Sequence, residues 1–490
     1  MARPNILWIY CDELRTDALG CYGNPRTTIE TPAIDSLASN GLVFENCYVN
    51  SPVCVPSRTS TLTGLSPERT GVYGNEAVWP RFPMSVRATF PEVLADAGYV
   101  TASFGKEHLP QVLRPWQHHD STGAGKFDIL RAVEDRSELH LLSSSTTGVI
   151  GGTFPASRRF PPSSVVDNLL SWVASARRPF FGRASILQPH TPVVPPAAFA
   201  DIYADRPWPR RPVFEEGLST FEHHFGVVGW ADGMTETDFT RAQACYYGMV
   251  AWIDNEVGRL LDGLRDIGAD RDLVIVLTSD HGCYLGENGA FGKHTFAPAV
   301  HRVPFIVVWP ERLEAQRRSD LVQGLDLART MLGFAGEAAP DVFDGRDVFS
   351  EDAPALVFST IGFGERQSLA YPNIRVGRWI DGRGWPRRSC VRTSHYRLDR
   401  NVRINGNAAQ PSDWDVFLAD SRQDPAETTN RAEDPECRPI RDELLAAIDL
   451  HLRGSVEAPA KVVYPADVWS RIRRLRANLL HPPGGEEEAV

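Results

Sequence analysis

The sequence predicts an α/β fold built on a doubly wound, mainly parallel sheet, followed by a smaller C-terminal α+β subdomain that contains an antiparallel sheet. Three observations support this prediction. The chain has 490 residues, of which 42% are hydrophobic and 23% are charged, as in an ordinary globular protein. Short apolar runs alternate with segments of helical periodicity over most of the chain. After about residue 365, the pattern changes to alternating, strand-like sequence.

Five short apolar runs predict buried strands, because each is bounded by turn residues. Three longer segments carry apolar residues at the spacing of one helix face and predict helices. Strands that alternate with helices in this way are typical of a parallel sheet. In chain order, the predicted strands are 5–11, 184–187, 273–278, 304–309 and 355–359, and the predicted helices are 90–97, 165–176 and 242–267.

Two long stretches, 110–162 and 191–238, lack clear periodicity and are rich in Pro, Trp, Phe and His. Loops of this length are usually lids or binding loops, or hide short elements. Several aromatic residues in or near these stretches are candidates for an apolar pocket wall, although ordinary packing is the simpler explanation for some of them. These candidates are Trp79, Phe82, Trp116, Tyr203 and Trp208.

The change of sequence pattern after about residue 365 divides the chain into three parts. These are a main domain at 1–365, an antiparallel-sheet subdomain at 366–460 and a tail at 461–490. The subdomain should contain strands at 389–398 and 414–418 and a helix at 440–452. The arginine-rich segment 471–476 could form an amphipathic arm that packs on another subunit, which leaves a homo-oligomer open. A solvated basic helix is the simpler account of that segment.

Charge and cysteine usage restrict the class of protein. With 62 acidic and 51 basic residues, the formal net charge is −11, which argues against a nucleic-acid binder. No apolar run reaches the roughly 18 residues of a membrane helix, and no signal peptide is visible at the N-terminus. The eight cysteines are scattered and form no Cys-x-x-Cys pair, so we expect free thiols in a reducing compartment and a cytoplasmic location.

Titratable side chains follow three of the predicted strands. Asp12 and Glu13 come directly after the first strand, Asp280 and His281 follow another, and His190 comes shortly after a third. Ligands of doubly wound sheets bind at the carboxyl ends of the strands. A lone Asp there is more simply a helix cap. Acidic groups at two strand ends, however, repel each other unless a divalent cation lies between them, and oxygen ligands suit a hard cation.

The run 51–64 reads SPVCVPSRTSTLTG, in which Cys54 precedes Pro56 by two and Arg58 by four residues. From these residues alone, chemistry at Cys54 and a small buried thiol before a helix are equally consistent. Other short motifs flank this run in a fixed order: 14–17 (LRTD), 71–75 (GVYGN), 105–109 (GKEHL), 189–192 (PHTP), 279–282 (SDHG), 292–294 (GKH), 302–304 (RVP) and 424–430 (DPAETTN).

This ordered series, from about residue 4 to 431, resembles the type I sulfatases of the alkaline phosphatase superfamily. The resemblance implies an alkaline phosphatase-like fold and a sulfatase that hydrolyses small-molecule sulfate esters. It implies that a formylglycine-generating enzyme converts Cys54 to formylglycine, whose hydrate is the nucleophile. It also implies one divalent metal ion. The implied metal ligands are Asp12, Glu13, Asp280 and His281, together with residue 54. Ca²⁺ is favoured by this oxygen-rich set, and Mn²⁺ is the alternative because one ligand is a nitrogen.

The same resemblance assigns roles to the remaining motif residues. Arg58 would neutralise and orient the hydrate. The ester's sulfate oxygens would be bound by Lys106, His190 and Lys293, and either Lys293 or His190 would protonate the leaving oxygen. His108 would deprotonate the second hydroxyl of the hydrate and so release sulfate. Asn75 and His294 are further candidate substrate contacts. Three positions depart from the family's pattern: Glu13, where Asp or Gln is usual, Glu107, where Trp is common, and Pro110, where Gly is common.

Two other functions stay open from the sequence. A phosphonate monoester or phosphodiester hydrolase of the same superfamily would use the same nucleophile and metal site. A non-catalytic sulfatase-like binding protein belongs to another class, and the intact catalytic motifs argue against it.

Overall fold

The structure is a computed structural model that describes most of the chain. The described residues are 3–23, 28–78, 82, 84, 86, 88–135, 137, 139–141, 149–206, 234–287, 291–310, 312–362, 364, 386–404 and 406–456. Trp79, Trp208, the arginine-rich segment 471–476 and the tail 461–490 lie outside these residues.

The strands among the described residues are, in chain order, β1 Asn5–Asp12, β2 Leu42–Tyr48, β3 Val100–Gly105, β4 His118–Asp120, β5 His140–Leu141, β6 Val149–Ile150, β7 Phe180–Pro189, β8 Leu273–Ser279, β9 Tyr284–Leu285, β10 Phe291–Gly292, β11 Arg302–Val308, β12 Gln316–Gln323, β13 Val357–Ile361, β14 Arg387–Arg392, β15 Tyr396–Ile404, β16 Asn407–Ala408 and β17 Phe417–Asp420.

The α-helices in the same residues are α1 Pro32–Ser39, α2 Cys54–Thr63, α3 Pro67–Thr70, α4 Phe90–Asp96, α5 Lys126–Ala132, α6 Ser164–Ser175, α7 Ala197–Ala200, α8 Glu236–Asp266, α9 Pro298–His301, α10 Asp326–Ala335 and α11 Arg438–His451. None of these helices combines the length and apolar character that crossing a bilayer requires.

The main sheet runs in the order β12-β2-β11-β8-β1-β7-β3-β4. Its neighbouring strands are parallel except at β11, which is antiparallel to both β2 and β8. The predicted mainly parallel sheet is therefore confirmed. Strand β7 extends the predicted segment 184–187 at both ends, and β11 corresponds to the predicted strand 304–309.

Strand β1 shows why the sheet is covered on both faces. All eight of its residues are buried. Leu7 and Ile9 point into an apolar cluster that includes α1, α6 and α8, whereas Ile6 and Trp8 point into a second cluster that includes α4 and α10. Because successive side chains of a strand alternate between faces, a strand buried on both sides reads as a continuous apolar run.

Both long aperiodic stretches contain short elements, which is one of the alternatives that the sequence left open. The stretch 110–162 contains β4, α5, β5 and β6. Of the stretch 191–238, the described part contains α7, a 3-10 turn at Asp201–Tyr203 and the start of α8. Helix α8 has 31 residues and begins before the predicted position, where Thr235 and Asp238 form a capping box.

The antiparallel sheet of the C-terminal subdomain runs in the order β13-β14-β15-β16, and β17 also pairs with β15. Helix α11 packs against it through Leu444 and Ile448. The predicted strand 355–359 was expected with the main strands, but as β13 it pairs with β14 in this second sheet. The predicted single strand 389–398 is instead a hairpin of β14 and β15. The division at residue 365 stays a prediction, and the second sheet already includes residues from Val357 onward.

The subdomain buries a cluster of five charged side chains, here called the arginine network: Arg388, Arg392, Arg397, Asp399 and Glu427. Arg392 donates two hydrogen bonds to the Glu427 carboxylate, at 2.6 and 2.8 Å. The Asp399 carboxylate accepts from Arg388 at 2.5 Å and from Arg397 at 2.7 Å. Within this network each guanidinium has a carboxylate partner, which is the condition for burying charge at tolerable cost.

Candidate active site

Four neighbouring parallel strands of the main sheet deliver the predicted site residues to one edge. In sheet order these strands are β8, β1, β7 and β3. Asp280 follows the last residue of β8, Asp12 ends β1, His190 follows β7 and Lys106 follows β3. Since parallel strands end at the same edge, residues that are far apart in sequence become neighbours at the carboxyl end of the sheet.

Helix α2 brings Cys54 to the same edge as its first residue, and all ten residues of the helix are buried. The helix has no side-chain cap of its own at Val53. Asn75, which is distant in sequence, supplies the side-chain cap: its Oδ1 accepts the Val55 N–H at 3.0 Å. The Ser57 hydroxyl donates to the carbonyl of Asp280 at 2.6 Å and ties the first turn of α2 to the end of β8.

Four of the predicted side chains offer ligand atoms to a common point. Asp12, Cys54, Asp280 and His281 each place one ligand atom within 4.8 Å of the others, and all four are buried. The Sγ atom of Cys54 lies 3.3 Å from His281 Nε2 and 3.8 Å from Asp12 Oδ1. Two carboxylates and one imidazole nitrogen form a donor set that fits a divalent cation.

The orientation of His281 leaves one nitrogen free for such a role. Its Nδ1 lies 2.8 Å from the carbonyl oxygen of Gly282, so Nδ1–H donates and Nε2 keeps its lone pair. Burial lowers the pKa of His281 to about 3, against the opposing effect of Asp280. The ring is therefore neutral at pH 7, as a metal ligand must be.

Glu13 lies beside this group rather than within it. Its carboxylate contacts Lys293 Nζ at 2.9 Å and His190 Nε2 at 3.4 Å. With Asp12 and His190 it forms a second set of closely spaced ligand atoms. The Glu13 backbone has a φ of 64°, an uncommon left-handed conformation for a non-glycine residue, at the turn that ends β1.

Arg58 joins two of the candidate metal ligands from the opposite side. Its Nε donates to Asp280 Oδ2 at 2.7 Å, and a terminal nitrogen lies 3.4 Å from Asp12 Oδ2. Arg58 is fully buried over the ring of Tyr10, with 4.7 Å between the guanidinium carbon and the ring centroid. Arg58 thus fixes one oxygen of each carboxylate and leaves the other directed at the common point.

Two lysines approach Cys54 directly. Lys293 Nζ lies 2.8 Å and Lys106 Nζ 3.6 Å from the Sγ atom. Lys106 also forms an ion pair with Asp12. Burial raises the pKa of the Cys54 thiol, and the nearby Lys293 only partly opposes this. Reactive cysteines usually show a lowered pKa, so Cys54 lacks the electrostatics of a cysteine that attacks as a thiolate.

The remaining predicted histidines surround this centre. His108 has a φ of 52°, and its Nδ1 is buried without a hydrogen-bond partner among the described residues. His190 Nδ1 lies 2.7 Å from the carbonyl oxygen of Thr191. His294 is buried beside Lys293, and its backbone N–H donates to the carbonyl oxygen of Pro52 at 3.1 Å. Burial, followed by the neighbouring lysines, lowers the pKa of all three histidines well below the ordinary range.

The unusual Glu107 and Pro110 have local explanations. Glu107 forms an ion pair with Arg183, which is fully buried in β7, and accepts a hydrogen bond from Trp116 at 3.0 Å. A carboxylate at this position therefore neutralises a guanidinium that the sheet would otherwise bury without a partner. The carbonyl of Pro110 accepts the Leu113 N–H at 3.0 Å in a turn.

The three described candidates for an apolar pocket wall take part in packing. Trp116 lies 5.3 Å from Phe181, measured between ring centroids, and under the guanidinium of Arg183. Tyr203 is buried against Tyr247. Phe82 belongs to a small apolar cluster with Val55, Val72 and others.

Sequence reasoning missed several residues that lie at or beside the site. Ser185 of β7 accepts from Arg58 at 3.1 Å and donates to the Lys106 carbonyl at 2.5 Å. The hydroxyl of Tyr246 on α8 donates to the Glu13 carbonyl at 2.7 Å. Lys126, at the start of α5, interacts electrostatically with Cys54 and Glu13. None of them lies in a recognisable motif, and only the tertiary fold brings them to the strand ends.

Comparisons with known proteins agree with this geometry. Residues 4–337 match the protein family described as Sulfatase. Residues 286–452 match the family described as "N-sulphoglucosamine sulphohydrolase, C-terminal". An arylsulfatase of Clostridium perfringens is 27% identical over 377 residues, which cover 70% of this chain and 77% of that protein. A Delta 4,5-hexuronate-2-O-sulfatase of Bacteroides thetaiotaomicron is 26% identical and covers 95% of this chain and 92% of its own length.

The fold also matches solved structures. A phosphonate monoester hydrolase of Agrobacterium radiobacter superposes with a TM-score of 0.72 at 20% identity, covering 92% of this chain and 95% of that one.

Proposed function

The chain belongs to the sulfatase family of sulfuric ester hydrolases, and from this premise we propose that Cys54, converted to formylglycine, is the nucleophilic position and that one divalent cation assists it. The substrate is a small-molecule sulfate ester. The observation that carries the proposal is the convergence on one buried sulfur atom of two lysine ammonium groups, the unprotonated nitrogen of His281 and a carboxylate oxygen of Asp12. A buried thiol needs none of these neighbours.

The donor set supports the bound cation. Asp12, Asp280, His281 and residue 54 would hold it, with Glu13 as a further predicted ligand. When bound, the cation supplies Lewis-acid charge for the nucleophile and for one sulfate oxygen. Ca²⁺ is favoured by the carboxylates, and Mn²⁺ is the alternative because of the imidazole.

The lysines account for binding of the sulfate group. Lys106 and Lys293 place their Nζ atoms 3.6 and 2.8 Å from the sulfur atom of residue 54, so negative charge on the sulfate oxygens would be met by positive charge in a buried site. Such preorganised charge stabilises a transition state more effectively than water does. Arg58 holds Asp12 and Asp280 in place. His190, Asn75 and His294 remain candidate contacts to the rest of the ester.

Of the two candidate general acids, the surroundings favour Lys293 over His190. A general acid must carry a proton when the leaving oxygen departs. Lys293 Nζ lies 2.9 Å from the Glu13 carboxylate, an ion pair that favours the protonated amine whatever group stands at position 54. His190 is neutral, and its one ring proton is engaged with the carbonyl of Thr191. Lys293 therefore has a proton to give.

His108 is suited to accept a proton in the release of sulfate. Its lowered pKa keeps the ring neutral at pH 7, and its Nδ1 has no competing partner among the described residues. A neutral imidazole with a free nitrogen is a competent general base.

The experiment compares hydrolysis of an aryl sulfate with that of the matching aryl phosphonate monoester by purified protein from a host that contains the modifying enzyme. We expect the higher kcat/KM on the sulfate. A large preference for the phosphonate would replace this proposal with the phosphonate hydrolase alternative, which the fold likeness also admits.

The same preparation tests the modification. Mass spectrometry of the tryptic peptide that ends at Arg58 should show formylglycine in place of Cys54. An unmodified cysteine together with absent turnover would favour a sulfatase-like binding protein. The cytoplasmic location stays a prediction, and a homo-oligomer stays open.

A further inference from the structure

Each of the cations that touch the centre of the site already has a carboxylate partner. Arg58 pairs with Asp280, Lys106 with Asp12, and Lys293 with Glu13. These pairs fix the positions of the cations and neutralise much of their charge. Arg58, Lys106 and Lys293 therefore serve the carboxylates of the site as well as the sulfate group that we propose is bound there.

Lys126 differs from these cations. It is half-buried at the first position of α5 and has no hydrogen bond or ion pair within the described part of the chain. Its ammonium group interacts electrostatically with Lys293, Cys54 and Glu13. Burial and then repulsion from Lys293 lower the pKa of Lys126 to about 8. An anion beside Lys126 would remove this repulsive penalty.

The topology explains why Lys126 lies near the site. Strand β4 is parallel to β3, so it ends at the same edge of the sheet, and a short turn leads from β4 into α5. Gly123 in this turn and Gly105 at the end of β3 both lie against Val165 of α6, where an added Cβ would stand 3.1 and 3.2 Å from its Cγ2. The start of α5 is thus packed beside the strand end that carries Lys106.

The composition of the chain gives an independent reason to single out Lys126. Of 51 basic residues, only four are lysines: Lys106, Lys126, Lys293 and Lys461. The other 47 basic residues are arginines. Two of the other lysines contact Cys54. A lysine in such a chain marks a place where a compact ammonium group on a flexible stem differs from a guanidinium.

We propose that Lys126 is a specificity-determining residue that binds a second anionic group, a carboxylate or a second sulfate, on the same sulfate ester. The inference rests on the proposed sulfatase function and deepens it. The four cations Arg58, Lys106, Lys126 and Lys293 outnumber the three carboxylates Asp12, Glu13 and Asp280 by one, and a bound divalent cation raises the excess to three positive charges. A simple sulfate monoester offsets one of these charges, whereas a doubly anionic ester offsets two. Among the described cations of the site, Lys126 is the one without a carboxylate partner to meet the second charge.

The test uses three saccharide esters and one aryl sulfate. The esters are a hexuronate 2-sulfate, which carries a carboxylate, the matching neutral hexose 2-sulfate, and a hexosamine N,6-disulfate. The wild-type protein should prefer one of the two doubly anionic esters over the neutral one. Which ester it prefers distinguishes a carboxylate from a second sulfate.

The variant Lys126→Gln should lower kcat/KM on the preferred ester roughly 10- to 100-fold, the value of a charged hydrogen bond, chiefly through KM. Its effect on the neutral ester and on the aryl sulfate should be less than about threefold. The matched control is Arg131→Gln, which removes an exposed positive charge from the same helix and should change none of the rates.

Three results would overturn the inference: no wild-type preference for a doubly anionic ester, an equal loss on all esters in Lys126→Gln, or no loss on any of them. Failure of the wild-type, formylglycine-containing protein to hydrolyse even the aryl sulfate would instead count against the proposed function.

Discussion

The strand-end site and the arginine network of the subdomain are built from the same ingredients, yet they are arranged in opposite ways. Both bury carboxylates and guanidinium groups almost completely. In the arginine network, the Glu427 carboxylate uses both oxygens on Arg392, and Asp399 uses one on each of two arginines. At the strand ends, Asp12 and Asp280 each give one oxygen to Arg58 and keep the other near Cys54 and His281.

This difference shows that burial of charged side chains is not in itself a sign of function. A closed network satisfies its members and holds the fold together. A site leaves donor atoms directed at a common point and so retains the capacity to bind something else. Three sets of variants test this contrast.

The largest contrast is between two buried cysteines. Cys54→Ala should lower kcat by at least roughly 10³-fold, because the nucleophilic position is lost, while the protein still folds. Cys390→Ala, in strand β14, should leave kcat unchanged. Turnover of an aryl sulfate and circular dichroism of both variants provide the measurement. Near-normal activity in Cys54→Ala would contradict the assignment of the whole site.

The next effect concerns stability. Glu427→Gln removes the negative charge that Arg392 and Arg397 share, and should lower the free energy of unfolding by about 3 kcal/mol, as expected when one member of a buried ion pair is removed. Activity per folded molecule should not change. Urea unfolding monitored by fluorescence measures the loss, and Glu433→Gln on the exposed surface is the control. A loss no larger than that of the control would show that the network is not needed for stability.

The smallest expected effect is on the affinity for the divalent cation. It distinguishes Glu13 from the four residues whose ligand atoms approach a common point: Asp12, Cys54, Asp280 and His281. Asp280→Asn should weaken binding of Ca²⁺ or Mn²⁺ by about 10- to 100-fold, since a charged candidate ligand becomes neutral. Glu13→Gln should weaken it less, because the Glu13 carboxylate is engaged with Lys293 and His190. Calorimetric titration of metal-free protein gives both constants. Equal losses would establish Glu13 as a full ligand, as the sequence predicts.

The sequence predicted much of this site because parallel strands convert a one-dimensional pattern into a shared edge. Asp12, His190 and Asp280 were recognisable from their positions after apolar runs, without knowledge of the order of the strands. The order itself could not be read, because β8, β1, β7 and β3 become neighbours only through tertiary packing.

Other features were hidden for physical reasons. Strand β13 has the same apolar pattern as a main-sheet strand, and only its partner β14 places it in the second sheet. The position of Lys126 beside the site could not be predicted, because it lies in an aperiodic stretch. Glu107 departs from the family's pattern, and its reason, the buried guanidinium of Arg183, is 76 residues away in sequence.

If Cys54 is converted to formylglycine as we propose, the complete burial of helix α2 implies an order of events in the biosynthesis of this protein. Residues 54–58 form the first turns of a helix with no exposed residue. A modifying enzyme has to bind this segment in an unfolded conformation. In the folded protein the segment is buried and therefore inaccessible to another enzyme. If Cys54 matures as we propose, it does so on the nascent or unfolded polypeptide, and folding then closes over the aldehyde. Molecules that fold first would then keep an unmodified cysteine, and adding the modifying enzyme to folded protein would not raise the active fraction.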